Sequence, residues 1–429
     1  MCNDNEWTIK LFASQLSGNV SKVLTPIRQV LRSKEIVAPL NMDEPYHHLG
    51  LIRWPFPVVP KREFCTFLAD RQQLQTDISD LLTTLSRRDT SSIHLFWSWF
   101  GAGKTHTLFY LANQAAELTK SKFRNRLYTV YSEFPKAAHS FLDLYKSFVI
   151  GIDMDTLVEA FMEIWTCPES DRLHRDLMLA SPDLATALKV MTTGRTQEQV
   201  IAMRWLRAES LPVSEFRRIG VSRKINSSEE AGRILAAIVE LLATAAKAAG
   251  RPGSRVLWLL DEFQRIDRTG SKSVSEINAG LHSTFNACPT SFSLFLSFTG
   301  KPQLNALPQW FSSELRDRIG RTKVIVLPPM LAEEALTFVR DVLDHARAEN
   351  YNPPTPFFPF NEASARAIID EVSKKSELRP RVIMNGFNAV LQEADTKLER
   401  GEMAVISSDF ARGTLSQYVT LDSESDEED

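Results

Sequence analysis

Ser98–Thr107 reads SWFGAGKTHT, a run whose residue types suit a polyphosphate. Gly101 and Gly103 permit a tight turn whose backbone N–H groups wrap phosphate oxygens, and Lys104 brings a cation to the β- and γ-phosphates. Thr105 offers a hydroxyl to Mg2+. Phe100, Ala102 and His106 complete the stretch expected to contact the nucleotide, with ATP and Mg2+ as the implied pair. The full pattern is G-x-x-x-x-G-K-[ST], and Ser98 stands where that pattern has its first glycine.

A second run, VLWLLDEF at Val256–Phe263, reads as a buried strand whose tip carries two carboxylates. Asp261 suits a Mg2+ shell, and Glu262 suits a base that orients and deprotonates an attacking water. A glutamate after the aspartate favours hydrolysis over binding alone. A short polar side chain is then needed at a neighbouring strand tip to sense the γ-phosphate. Ser297 and Thr299, in FLSFTG, are the candidates; alternation sends both to one face and does not choose between them. Thr299 is counted here among the catalytic residues. Charge on the transferred phosphoryl also calls for arginine, in cis or from a neighbouring subunit. Arg316, Arg318 and Arg321 precede the last strand, and Arg379 and Arg381 open a C-terminal helix; Arg318 is favoured as a trans finger and Arg381 as a lid sensor.

These residues need a scaffold that gathers strand tips. Apolar runs at Ile93–Ser98, Leu127–Tyr131, Val256–Leu260, Phe292–Phe298 and Lys323–Leu327 predict five strands. Helices are expected over Asp70–Arg87 and Thr105–Ala116, so the chain opens as strand–turn–helix–strand, the beginning of a parallel α/β sheet. Residues 141–250 read almost wholly helical, an insert before the third strand. After Pro328-Pro329, helices are expected over Ala332–Ala348, Asn361–Lys374, Pro380–Leu398 and Ser408–Tyr418. The resulting division is an N-terminal helical segment at 1–44, a core at 45–330, a helical lid at 331–420 and a disordered acidic tail at 421–429.

Composition is compatible with this plan. The 429 residues are 43% apolar and 24% charged, ordinary globular values, with 17 glycines against the roughly thirty that an average usage of about 7% would give. Few glycines point to a helix-rich chain. The net charge of −3 excludes a grossly basic protein, yet the six acidic residues of Asp422–Asp429 account for it, and without them the remainder carries +3. Cys2, Cys65, Cys167 and Cys288 lie far apart without a CxxC pair, which argues against a zinc ribbon and a disulfide framework. The start, MCNDNEWTIKLF, lacks the pattern of a signal peptide, and Ile234–Gly250 is too short to span a bilayer. The expectation is a soluble cytoplasmic protein.

With both phosphate motifs, a sensor strand and a helical lid, the chain resembles AAA+ ATPases of the group containing origin-recognition/Cdc6 proteins and transposition regulators. LGLIRWPFPVVPKREFCTFLADRQQL resembles the GL-x-x-x-PF segment that precedes the phosphate loop in that group, and RDRIGRTKVIVLPPMLAEEALTFVRDVL resembles the passage into the lid. The resemblance implies an α/β fold, an AAA+ P-loop NTPase with a five-stranded parallel sheet, large helical insert and C-terminal lid. It also implies that adjacent subunits complete one another's sites. Trp205–Ile266 is further similar to the P-loop ATP-binding proteins of bacteriophage-exclusion (BREX) islands, with Ala208 in place of a glycine and Ile219-Gly220-Val221 as a turn.

Two basic clusters, Lys120/Lys122/Arg124/Arg126 and Arg217/Arg218/Arg223/Lys224, suit phosphate contacts on double-stranded DNA without base reading; solubilising charge at helix ends is the plainer account. The expected partners are further copies of this chain, DNA, and partner proteins of a defence or transposition system, with no membrane. An assembly switch with little turnover, or an initiator-like DNA loader, are the alternatives to a working ATPase.

Overall fold

The protein is described as a computed structural model covering residues 46–417 apart from 58, 89, 122, 301–306, 309 and 320–323, and by backbone alone at 170 and 180. The expected N-terminal helices at 1–44, the acidic tail, Lys122 and Arg321 lie outside the described residues.

Five parallel strands form one sheet: β1 (Ser92–Ser98), β2 (Arg126–Glu133), β3 (Ser254–Asp261), β4 (Phe292–Thr299) and β5 (Val324–Val326), in the order β2-β3-β4-β1-β5. Alternation along β1 feeds both faces. Ile93, Leu95 and Trp97 enter the largest hydrophobic core, whereas Phe96 packs on the opposite side. That second side is covered by α1 (Gln72–Leu85) and α2 (Lys104–Thr119), whose buried aliphatic residues recur at helical spacing: Leu74, Ile78, Leu82, Leu85 and Leu108, Leu111.

The large core is shared with the insert. It runs through α3 (Phe141–Gly151), α4 (Met154–Thr166), α5 (Ser170–Ala180), α6 (Pro182–Thr193), α7 (Thr196–Leu206), α8 (Val213–Arg218) and α9 (Ser228–Ala248). Asp143 accepts from the backbone N–H groups of His139 and Ser140 at the start of α3. Gly280 of α10 (Ser271–Ala287) packs directly on Phe141: a Cβ there would lie 2.2 Å from the ring. Two positions singled out in Trp205–Ile266 have left-handed backbone, Ala208 at φ 52° and Gly220 at φ 81°. A glycine at 208 would therefore be the less strained residue.

A short α11 (Ser313–Ile319) precedes β5. Beyond it lie α12 (Ala332–Ala346), α13 (Glu362–Ser373), α14 (Pro380–Glu399) and α15 (Ser408–Gln417), which form their own core with Leu49, Leu51 and Phe56 of the leading segment. Helices 271–287 and 313–319 had no counterpart in the sequence expectations; the other described boundaries agree within a few residues, and β5 ends before Leu327. Cys65, Cys167 and Cys288 are free. Among the described residues no helix is long and apolar enough to cross a membrane.

Candidate functional site

Parallel pairing sets the strand tips level. Ser98 pairs with Thr299 across β1 and β4, Leu260 with Leu296 across β3 and β4, and Glu133 with Asp261 across β2 and β3. The phosphate-loop motif, the carboxylate pair and Thr299 therefore open onto one edge of the sheet, the carboxyl end where α/β folds take ligands.

The loop's two glycines are required by its backbone. Gly101 has φ 74° and Gly103 φ 93°, both left-handed, and Gly103 caps the N-terminus of α2. Ser98 needs no such freedom. It ends β1 in ordinary backbone, and its buried hydroxyl donates to the Leu327 carbonyl at 2.5 Å. The missing first glycine thus costs the turn nothing and ties β1 to the segment following β5.

Lys104 is the first residue of α2 and is only 6% exposed. Its Nζ donates to the carbonyls of Trp99 (2.9 Å) and Ser98 (3.2 Å), closing the loop on itself. Burial pushes its pKa down to about 8, against the pull of Asp261 and Glu262. Thr105 Oγ1 donates to Asp261 Oδ2 at 2.6 Å, joining the loop helix to the tip of β3. Tyr131, on β2, donates its hydroxyl to the same oxygen at 3.3 Å. A hydroxyl and a carboxylate are the hard oxygen donors that Mg2+ takes when it keeps water and substrate phosphates as its other ligands. Among the described residues no group of three or more His, Cys, Asp or Glu side chains is arranged to hold a metal unaided.

Glu262 follows Asp261 in a left-handed conformation, φ 57° and ψ 33°, unusual for a side chain of its size. The kink turns the chain into a 3-10 turn at Phe263–Arg268, anchored by Phe263 against Phe134, Trp310 and Phe311. Glu262 Oε2 accepts from Gln264 Nε2 at 2.7 Å and lies 3.8 Å from the Arg265 guanidinium. Burial and then Asp261 raise its pKa, with Arg265, Gln264 and Lys104 opposing. That direction is the one a general base near neutrality requires.

The two hydroxyl candidates separate. Ser297 is fully buried within β4 with no hydrogen-bond partner for its Oγ, while Thr299 sits at the strand tip beside Ser98. The lid meets the loop directly: Arg381 N donates to Gly101 O (3.1 Å), Arg379 to Phe100 O (3.1 Å), and the Arg381 guanidinium lies 4.5 Å over the Phe100 ring. The His106 side chain turns away from the loop to the leading segment. Its Nε2 is 2.8 Å from Phe67 O and its Nδ1 3.5 Å from Cys65 Sγ. Ala102 is buried beneath the turn in the α1–α2 core.

Of the arginines before β5, Arg316 donates to Phe311 O and Pro308 O, holding the segment that leads into α11. Arg318 reaches back to Asn286 Oδ1 at 2.7 Å and covers Phe285. Neither is gathered at this chain's own loop. Tyr131, Gln264 and Arg265 are members of the site that sequence reasoning passed over; only the position of Gln264 and Arg265 just after Asp261-Glu262 was a signal.

The sheet, the loop after β1 and the helical C-terminal region match an AAA+ P-loop NTPase architecture. No family model matches the chain, and no curated protein does. Among solved structures, the chain is similar to the ORC2 protein of Aeropyrum pernix, at 13% identity over 84% of this chain and 70% of that one, with TM-score 0.45. Domain III of the Thermotoga maritima replication initiation protein DnaA is similar at 13% identity over 89% and 100%, TM-score 0.39. A Walker-type ATPase of Pyrococcus abyssi is similar at 12% identity over 85% and 75%, TM-score 0.43. The narrower likeness to defence-island proteins gains no support from these comparisons.

Proposed function

We propose that the chain binds ATP with Mg2+ in the Ser98–Thr107 loop and hydrolyses it. The carrying observation is the 2.6 Å bond between Thr105 and Asp261, which brings the loop and the carboxylate pair into one site. The backbone N–H groups of the loop and Lys104 hold the phosphates, and Lys104 exchanges its carbonyl partners for phosphate oxygens. Thr105 and Asp261 hold Mg2+, which neutralises charge on the phosphates when bound. Glu262 accepts a proton from the attacking water. As that oxygen bonds to the γ-phosphorus, the bond to the β–γ bridging oxygen breaks and its electron pair leaves on ADP. Thr299 is the sensor of choice, because Ser297 is sealed in the strand. Arg379 and Arg381 carry the loop's occupancy to the lid.

Self-association follows from the same reading. Arg318 sits away from its own loop, so a role in hydrolysis requires that it act on a neighbouring copy. DNA or a protein partner in phage defence or mobile-element control remains the proposed context, with phosphate contact from the basic clusters. Within the first cluster Arg126 is paired with Glu163 and Lys120 with Glu117, so a phosphate would compete there with carboxylates. An assembly switch with slow turnover is favoured by one feature: Lys104 and Glu262 are already satisfied within the protein.

The test is steady-state ATPase activity and nucleotide binding for wild type, Lys104→Ala and Glu262→Gln, with and without double-stranded DNA. Glu262→Gln should bind ATP normally and turn over at least 100-fold more slowly, the scale of a lost general base. Normal turnover in that variant removes the base assignment. Arg318→Ala should impair turnover more than binding, and mixing it with Glu262→Gln should restore activity if the two residues act across an interface.

A further inference from the structure

The geometry points to Gln264 as a positioning residue that fixes the Glu262 carboxylate and couples it to the tip of β4. The inference rests on the hydrolytic reading of the same site. Gln264 Nε2 donates to Glu262 Oε2 at 2.7 Å, and Gln264 Oε1 accepts from the backbone N–H of Thr299 at 3.1 Å. These partners fix the amide's orientation without ambiguity, since a carboxylate only accepts and a backbone N–H only donates. A side chain that both donates and accepts in one plane is required. Glutamate offers two acceptors when ionised, leucine offers none, and asparagine is one methylene too short to span both partners.

The need for such a brace lies in the backbone. Glu262 is in the left-handed region, where a non-glycine residue is strained. Its carboxylate extends from a kink rather than from a strand or helix. Both Gln264 and Arg265 address Oε2, so Oε1 is the oxygen left to meet a water. Arg265 is itself tied to Glu133 Oε2 (3.1 Å) and Phe134 O (2.7 Å) at the end of β2. Gln264 ties to β4. The base is thus held between the tips of the two strands that flank β3, and Thr299, the γ-phosphate sensor of the proposed reaction, is linked to it through one amide.

The charged groups facing Glu262 are Asp261 on β3, Lys104 on α2 and Arg265 in its own turn, with Glu133 of β2 behind Arg265.

The experiment compares wild type, Gln264→Leu, Gln264→Asn and Glu262→Gln in full-length protein, measuring ATP affinity and kcat separately. Gln264→Leu and Gln264→Asn should keep ATP affinity within threefold and lower kcat roughly 10–100-fold, part of a general base's contribution. Unchanged kcat in both variants overturns the inference while leaving the site reading intact. Loss of ATP binding in both variants also overturns it, in favour of a plain structural role. A wild type no more active than Glu262→Gln removes the hydrolytic reading, and this inference with it.

Discussion

Lys104 offers a prediction whose sign runs against intuition: replacing it by methionine should make the free protein more stable while abolishing stabilisation by ATP. The lysine is 6% exposed, and burial lowers its pKa from the ordinary 10.5 to about 8. At about 1.4 kcal/mol per pH unit, holding that cation in the loop costs the fold about 3 kcal/mol. Methionine removes the charge and nearly conserves the volume. It also strips donors from the Ser98 and Trp99 carbonyls, a loss of roughly 1 kcal/mol each where water does not replace them. The net expectation is a gain of about 1–2 kcal/mol near neutral pH. The dependence on pH is the sharper test. Below pH 8 the folded and unfolded chains both carry the charge, and the full cost is present. Between pH 8 and 10.5 the folded lysine loses its proton first, so wild type gains on the variant, and the charge contribution disappears as pH reaches 10.5. Urea unfolding of both proteins at pH 7 and 9.5, with and without Mg-ATP, reads all three quantities. A variant less stable than wild type by more than 1 kcal/mol at pH 7, or a difference that does not change between the two pH values, refutes the argument.

Other residues give further expectations. Gly101→Ala, at φ 74° and with its new Cβ 3.0 Å from Arg381 Cβ, should weaken ATP binding at least tenfold in a nucleotide titration. Ala208→Gly should raise unfolding free energy by about 0.5–1 kcal/mol in denaturant, because the native φ of 52° suits glycine. Arg255→Met should cost about 3 kcal/mol or more by the same measurement: this fully buried guanidinium donates to the carbonyls of Leu85, Arg88, Thr90 and Phe292 and to Ser293 Oγ.

The Ser98–Thr107 turn was legible in the sequence because its determinants are local. GAGKT places two glycines, a cation and a hydroxyl within five residues, and backbone geometry turns that order directly into a turn and a helix start. VLWLLDEF was legible for a related reason, since an uninterrupted apolar run ending in carboxylates reads as a strand buried on both faces. The lid helices followed from their periodicity. Helix 271–287 was missed because its buried positions include Asn278, Gly280 and Thr284, which blur the apolar stripe.

Neighbours a few residues apart specify the parts: a glycine turn at Ser98–Thr107, a strand-borne carboxylate pair, five strands and a helical remainder. The tertiary structure alone decided their arrangement. It set the order β2-β3-β4-β1-β5, sealed Ser297 while leaving Thr299 at the edge, and brought Tyr131 to Asp261, Arg379 to Phe100 and Gln264 to Thr299. Separation along the chain explains the difference. Each of those contacts joins residues from 35 to 279 positions apart, and it exists only because packing of the two sheet faces and the lid holds their backbones in place.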